Sequence, residues 1–245
     1  MQKNTITTVL VSVVASVVVS SVVALSVAGG KSSEPTNMNQ VIENYLMTNP
    51  LKIRDSLQLA AEQERLEAEK RAAEAFKTNI EELNNDENSP FIGPKDAKVT
   101  IVEFFDFNCG YCKRLAPVMA KVIKANPDVK FVFKPVTFLG SMPVAKAAMA
   151  AYKQGKFLEV YDALLNHKGQ LTAEVINEKI AAAGLDADKT KEIMESEEVS
   201  SALAKISTLS NKVGIRGVPT LVINGAPLQA YDEAQIQNAI DNLKK

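Results

Sequence analysis

The chain has two cysteines, Cys109 and Cys112, and only Gly110 and Tyr111 separate them. A disulfide across so short a loop restricts the unfolded chain little, so it would stabilise a fold only weakly. Two thiols at this spacing are suited to thiol–disulfide exchange, in which a thiolate attacks a disulfide and a second thiol releases the product. The spacing therefore predicts a redox-active pair.

The flanking sequence predicts where these thiols lie in the fold. The run KVTIVEFFDF is rich in β-branched and aromatic residues and predicts a buried strand that ends just before Cys109. Apolar residues at helical spacing follow, so Cys109 lies at a helix N-terminus, where the helix dipole favours a thiolate. Cys112 lies one turn further and deeper. This geometry predicts Cys109 as the attacking thiol and Cys112 as the resolving thiol. The acidic residue Asp106 is expected to face solvent and is assigned no role.

A Cys-x-x-Cys pair can also be half of a zinc site. Such a site needs further ligands, and the chain has no second cysteine pair and one histidine, His167. A zinc site shared between subunits stays an alternative. We interpret His167 as a polar residue near the end of a helix, and we expect neither a metal nor an organic cofactor.

The rest of the main domain alternates between strands and helices. The run DVKFVFKPV predicts a second strand, which completes a βαβ unit with the thiols at its first strand-to-helix junction. Residues from about 141 to 212 have helical apolar spacing throughout. Two short strands then flank Asn224-Gly225, a strong hairpin signal, and an amphipathic helix closes the chain.

The N-terminus carries an export signal. No charged residue occurs from Asn4 to Gly30, and the apolar run is about long enough to span a bilayer. Small residues at Ser26-Val27-Ala28 would also suit cleavage. Residues 1–30 are therefore interpreted as a signal peptide or a membrane anchor, with both outcomes open. Export predicts a periplasmic or cell-envelope location, which is an oxidising compartment.

Residues 31–89 predict a helical segment ahead of the main domain. A short amphipathic helix stops at Asn49-Pro50, and a long charged helix follows to about Leu83. The segment is either a solvated linker or a stalk that pairs with copies of itself. We favour a homo-oligomer, a dimer or a trimer, because the apolar faces need a partner. The near-neutral charge of −1 and the lack of a basic block argue against nucleic acid as a partner.

Three features together resemble a thioredoxin fold: the strand VTIVEFFDF that runs into the cysteines, the helix that carries Pro117, and the later stretch GIRGVPTLVING. The helical block between the two halves is similar to that of the DsbA family of exported thiol:disulfide oxidoreductases. The resemblance covers about Phe91 to Lys245. It implies an α/β fold, namely a thioredoxin fold over residues 90–245 with a helical insertion at about 141–212, preceded by N-terminal helices.

The resemblance also implies roles for individual residues. Pro219 matches the family's cis-proline, which lies across from the thiols, and the backbone of the preceding Val218 would pair with a substrate strand. The alternative for Pro219 is an ordinary proline that begins an edge strand. Glu103 matches a buried acid that helps proton transfer to the inner thiol. Burial should raise its pKa and let it accept the proton of Cys112, whereas the alternative is a surface acid.

The dipeptide between the cysteines indicates a subclass. Gly110-Tyr111, which we expect to contact substrate, differs from the Pro-His pair of the strongly oxidising monomeric members and resembles the pair of periplasmic disulfide isomerases. The resemblance thus implies an exported enzyme that forms and rearranges disulfides in unfolded or misoxidised exported proteins and exchanges electrons with a membrane redox partner. A plain disulfide oxidase is one alternative, and an oligomeric chaperone or surface interaction protein is another.

Overall fold

The computed structural model describes residues 37–245. The predicted signal peptide or anchor, residues 1–30, lies outside the described residues. Contacts divide the chain into two units, with the boundary between Glu64 and Arg65. Among the helices of the described part, none has both the length and the apolar content that crossing a membrane requires.

The described chain begins with two helices. Helix α1 spans Met38–Thr48 and α2 spans Pro50–Thr78, and Asn49 separates them. The helix predicted to continue to Leu83 is interrupted, because α2 ends at Thr78 and a short α3, Ile80–Asn84, follows. Helix α1 buries no residue. The large apolar side chains that α1 and the first part of α2 leave exposed are Met38, Val41, Ile42, Tyr45, Leu46, Met47, Leu51, Leu57 and Leu59.

A five-stranded mixed sheet forms the centre of the second unit, in the strand order β1-β3-β2-β4-β5. Strands β2 and β3 are parallel, and the other neighbours pair in antiparallel fashion. The last two strands form the predicted hairpin, since Asn224 and Gly225 both have positive φ, as a type I′ turn requires. The strands are β1 (Phe91–Ile92), β2 (Thr100–Phe105), β3 (Lys130–Pro135), β4 (Thr220–Ile223) and β5 (Ala226–Leu228).

Helices connect these strands and confirm the predicted fold class. Helix α4, Gly110–Ala125, crosses from β2 to β3, which gives the βαβ unit its parallel pair. Five helices lie between β3 and β4, where the sequence predicts a helical insertion, and one more closes the chain. They are α5 (Met142–Lys153), α6 (Phe157–Leu165), α7 (Ala173–Ala182), α8 (Ala187–Glu195), α9 (Glu197–Lys212) and α10 (Glu233–Lys244).

The two faces of the sheet pack into two separate apolar clusters. On one face, alternate residues of β2 such as Ile101 and Phe105 pack against α4, α6 and α10. On the other face, Val102 and Phe104 pack with Phe76 and Leu83. The packed unit therefore includes residues from the segment 31–89 that the sequence analysis assigned to the N-terminal helices.

Candidate active site

Cys109 is the N-cap residue of α4, and Cys112 lies in the first turn of this helix. The Cys109 side chain is 6% exposed and Cys112 is fully buried. The Cys109 amide donates to the Asp106 carbonyl oxygen at 3.0 Å, and this bond holds the turn that leads into the helix. Both thiols are free. The predicted arrangement is present, with an outer thiol at the positive end of a helix and an inner thiol beneath it.

The loop before β4 lies directly against the outer thiol. The Val218-Pro219 peptide bond is cis, and the Cys109 thiol donates to the Val218 carbonyl oxygen at 3.3 Å. The sequence prediction of a cis proline across from the cysteines is therefore confirmed, and the alternative of an ordinary edge-strand proline is wrong.

A groove of about 580 Å³ begins at this junction. Tyr111 lines it and is exposed, and the Arg114 guanidinium carbon lies 4.2 Å from the centre of the Tyr111 ring, a cation–π contact. No local pattern in the sequence indicates Arg114 or Tyr231, because their place in the groove depends on how the strands and helices pack. The lining residues are Tyr111, Arg114, Leu115, Val218, Pro219 and Tyr231.

Glu103 lies in the middle of β2 and is 1% exposed. The Tyr161 hydroxyl donates to Glu103 Oε2 at 2.8 Å, whereas Glu103 Oε1 has no partner among the described residues. Burial raises the pKa of the Glu103 carboxyl to about 7, the Tyr161 hydrogen bond opposes this rise, and the Asp162 charge adds to it. The alternative of a surface acid is wrong.

Cys112 is the group that needs a base. Burial raises the pKa of the Cys112 thiol well above its usual value, a backbone contact with Asp106 opposes this rise, and the neighbouring Cys109 and Glu103 charges add to it. The inner thiol is therefore protonated at neutral pH. Glu103 is close enough to act on it electrostatically and titrates in the physiological range, so the pair is suited to proton transfer.

Asp106 does not face solvent as expected; it is fully buried. Its Oδ1 accepts a hydrogen bond from the Asn108 amide at 2.8 Å, and its Oδ2 accepts one from the Leu139 amide at 2.9 Å. The carboxylate satisfies two backbone donors, which makes its burial tolerable. It ties the turn before Cys109 to the loop after β3. The only signal in the sequence was its place at the end of a buried strand.

His167 lies just beyond the end of α6. Its carbonyl oxygen accepts a hydrogen bond from Lys113 Nζ at 3.3 Å, which links α4 to the inserted helices. Within residues 37–245, no three side chains from His, Cys, Asp or Glu are grouped so that they could hold a metal ion. The contact that links the two elements is made by the backbone of His167.

Comparisons with known proteins agree with this architecture. A sequence model of the family described as Thioredoxin matches residues 84–242, more than half of the chain, and the chain therefore belongs to this family. Among solved structures, it is similar to the catalytic domain of Proteus mirabilis ScsC, with 32% identity and a TM-score of 0.64 over 71% of this chain and 99% of that one.

Two curated relatives place the similarity more closely. The chain is 27% identical over 145 residues to the thiol:disulfide interchange protein DsbA of Pseudomonas aeruginosa, covering 56% of this chain and 69% of the relative. It is 29% identical over 137 residues to Na(+)/H(+) antiporter NhaA 3 of Salinispora tropica, covering 54% of this chain. The chain spans about a fifth of the length of that antiporter, 21%. Within the thioredoxin family, the chain is thus a DsbA-like member.

Proposed function

We propose that this protein is an exported thiol:disulfide oxidoreductase that forms and rearranges disulfides in other exported proteins. The observation that carries the proposal is the position of Cys109, at a helix N-terminus, 3.3 Å from the Val218 carbonyl oxygen and next to the groove. The groove beside this thiol offers space for a substrate chain. The similarity to DsbA supports the same chemistry.

In the reduced form, the Cys109 thiolate attacks one sulfur of a substrate disulfide. A mixed disulfide forms between Cys109 and the substrate, and the other substrate sulfur leaves as a thiolate. The backbone of Val218 pairs with the substrate strand, while Gly110 and Tyr111 border the reacting sulfur. Tyr111 is 68% exposed and therefore available for contact with a bound chain.

The mixed disulfide has two outcomes. When another substrate thiolate attacks the substrate sulfur, Cys109 leaves as the thiolate and the substrate disulfide has been rearranged. When Cys112 attacks Cys109, the substrate leaves reduced and the enzyme is oxidised. In the oxidised form, a substrate thiolate attacks Cys109 and the disulfide passes to the substrate. A membrane redox partner then exchanges electrons with the Cys109–Cys112 pair.

We further propose an isomerase role in an oligomer, with a plain oxidase as the second candidate. Two observations favour the isomerase. Gly110-Tyr111 resembles the dipeptide of disulfide isomerases, and α1 exposes a row of apolar residues that includes Val41, Ile42, Tyr45 and Leu46. A second copy of the chain would cover that row, and the enzyme would then present several thiol pairs to one substrate.

Refolding of scrambled, oxidised ribonuclease tests this proposal. The wild-type protein should restore ribonuclease activity and the Cys109→Ser variant should not. Ile42→Glu with Leu46→Glu should dissociate the oligomer and lower isomerase activity while leaving oxidation of a reduced peptide intact. The control is Gln40→Glu with Asn44→Glu, which adds the same charge to exposed polar positions of α1.

Each result separates two functions. If the wild-type protein oxidises reduced ribonuclease but leaves the scrambled form inactive, the oxidase is the function. If Cys109→Ser suppresses aggregation of unfolded protein as well as the wild type does, and neither protein exchanges disulfides, the chaperone alternative replaces both.

A further inference from the structure

The two carboxylate oxygens of Glu103 have different surroundings. Oε2 accepts the hydrogen bond of the Tyr161 hydroxyl at 2.8 Å. Oε1 is buried and has no hydrogen-bond partner among the described residues. A buried oxygen without a partner costs free energy, so such an atom in a native structure calls for a reason. Proton exchange with the neighbouring inner thiol is such a reason.

Tyr161 is held in one place by aromatic packing. It lies on α6, is fully buried, and therefore reaches the acid from the inserted helices rather than from the thioredoxin core. Ring packing fixes the direction of its hydroxyl, because a ring with two side-chain torsions has little freedom in such a cluster. The rings within 6.4 Å of the Tyr161 ring, centre to centre, are those of Phe105, Phe107, Phe133 and Phe157.

We propose that Tyr161 is a positioning residue that holds Oε2 of Glu103 and thereby leaves Oε1 as the oxygen that exchanges a proton with the Cys112 thiol. This inference deepens the proposed function and rests on it. It assigns to the inserted helices a part in the proton transfer that accompanies release of the substrate.

The proposed step moves one proton to Glu103 and two electrons to the substrate. The Glu103 carboxylate takes the proton of the Cys112 thiol through Oε1 and becomes a carboxylic acid. The Cys112 thiolate attacks the Cys109 sulfur of the mixed disulfide, which forms the Cys109–Cys112 disulfide and expels the substrate thiolate. The thiol pair is oxidised by two electrons and the substrate sulfur is reduced. In the reverse direction, Glu103 returns its proton to Cys112.

The titratable groups that interact with Glu103 come from two helices, α6 and α4. From α6 come Tyr161 and Asp162, and Asp162 raises the pKa of Glu103 through its charge. From α4 comes Cys112. The directly opposite residues on the two neighbouring strands, Phe133 and Leu221, are apolar.

Tyr161 is thus the group in this set that stabilises the charged carboxylate, because a donated hydrogen bond favours the ionised form. It opposes the rise in pKa that burial causes. Without this bond, less of Glu103 would be ionised at neutral pH and fewer enzyme molecules would carry a base for Cys112.

Stopped-flow reaction of the reduced protein with an aromatic disulfide, 5,5′-dithiobis(2-nitrobenzoate), tests the proposal. A first release of the coloured thiolate reports attack by Cys109, and a second release reports attack by Cys112 on the mixed disulfide. In the wild type, we expect the rate of the second phase to rise with pH with a midpoint near 7, the value at which Glu103 ionises.

In Tyr161→Phe, we expect the midpoint to move up by about one pH unit and the second phase at pH 7 to slow by about five- to tenfold, since one hydrogen bond to a charged group is lost. The first phase should not change. Tyr152→Phe is the matched control, because Tyr152 also packs against Phe157 but makes no contact with Glu103. Glu103→Gln should remove the midpoint, and adding Tyr161→Phe to it should cause no further loss.

Two results would overturn the positioning role alone: an unchanged midpoint in Tyr161→Phe, or equal effects of Tyr161→Phe and Tyr152→Phe. A measurement that needs no variant gives a second test. The Tyr161 ring resonances of the reduced wild type should titrate with the midpoint of the second phase, and their failure to do so would contradict the proposal. Absence of any second phase in the wild type would instead overturn the proposed function itself.

Discussion

Glu103 and Lys134 are charged side chains buried on neighbouring strands of this sheet, and they point to opposite faces. Glu103 on β2 lies on the face that carries Cys112 and Tyr161. Lys134 on β3 is directly opposite Phe104, a residue of the other face, and is fully buried there. The sequence predicts a strand at both positions, so the two residues differ in the hydrogen-bond partners around their side chains.

Lys134 has a complete set of partners. Its ammonium group donates to the Ser89 hydroxyl at 2.7 Å, the Glu82 carbonyl at 3.0 Å and the Asp86 carboxylate at 3.2 Å. A lysine has three protons to donate, and all three are used. Burial lowers the pKa of Lys134, and the Asp86 charge opposes this effect. The network joins β3 to α3 and to the chain just after α3.

Glu103 has a single donor and one oxygen left without a partner among the described residues. A buried charge with every partner in place contributes to the fold, whereas a buried acid that lacks partners and titrates near neutral pH is available for proton transfer. The comparison teaches that burial alone does not identify a functional charge. The two charges differ in the oxygen that Glu103 leaves without a partner near the inner thiol.

The largest effect should come from removing the satisfied charge. Lys134→Met leaves the Asp86 carboxylate, whose side chain is 13% exposed, without its cation. Breaking a buried ion pair on one side costs about 3 to 5 kcal/mol, so we expect a loss of about 4 kcal/mol in the free energy of unfolding. Urea unfolding measures it, and the pH profile of thiol exchange should stay unchanged.

The matched control for this variant is Lys212→Met. Lys212 pairs with Glu82 at 3.1 Å on the surface, where an ion pair contributes below about 1 kcal/mol. Equal losses in the two variants, or a shifted exchange profile in Lys134→Met, would contradict the assignment of Lys134 to the fold.

The next effect concerns the unsatisfied acid and depends on pH. The folded pKa of Glu103, about 7, lies above its ordinary value of 4.5, so the unfolded chain ionises first as pH rises. Stability should therefore fall between about pH 4.5 and 7, by up to about 3 kcal/mol. In Glu103→Gln this part of the fall should disappear. Chemical denaturation of the reduced wild type and Glu103→Gln at several pH values measures this fall. Parallel curves of stability against pH for the two proteins would refute the prediction.

The smallest effect concerns Asp86, and its pH dependence has the opposite sign. Burial alone would raise the pKa of the Asp86 carboxyl, but the Ser89 hydrogen bond and the Lys134 charge hold it below the ordinary value. Its contribution is present above about pH 4 and is lost as pH falls through the folded pKa. At pH 7, Asp86→Asn should cost about 1 to 2 kcal/mol, because the amide oxygen of Asn can still accept from Lys134 and only the charge-assisted part of the hydrogen bond is lost.

Unfolding of the wild type, Asp86→Asn and Glu103→Gln at several pH values checks the sign of each pH dependence. The stability of the wild type minus that of Asp86→Asn should decrease as the pH drops below about 4, whereas the stability of the wild type minus that of Glu103→Gln should increase as the pH drops from about 7 to about 4.5. If both differences changed in the same direction with pH, the contrast between the two buried charges would fail.

Local patterns in the sequence were sufficient for much of this molecule. The spacing of Cys109 and Cys112, the strand before them and the helix after them follow from residue types within a few positions of each other. The hairpin at Asn224-Gly225 follows from its turn residues, since both positions need positive φ. The cis bond before Pro219 was predicted from a resemblance rather than from a physical pattern.

The remaining features depend on contacts between distant residues. Tyr161 reaches Glu103 across 58 positions and Lys134 reaches Ser89 across 45, and periodicity carries no information about which side chains meet at such distances. Asp106 was predicted to face solvent because its contact with the Leu139 amide, in the loop after β3, forms only in the folded protein. Its second donor is the nearby Asn108 amide. Local propensity and apolar spacing thus predict the elements and the thiol pair. Packing alone decides which buried charge is satisfied and which one keeps an oxygen for the proton of Cys112, because hydrogen-bond partners are chosen by the folded geometry.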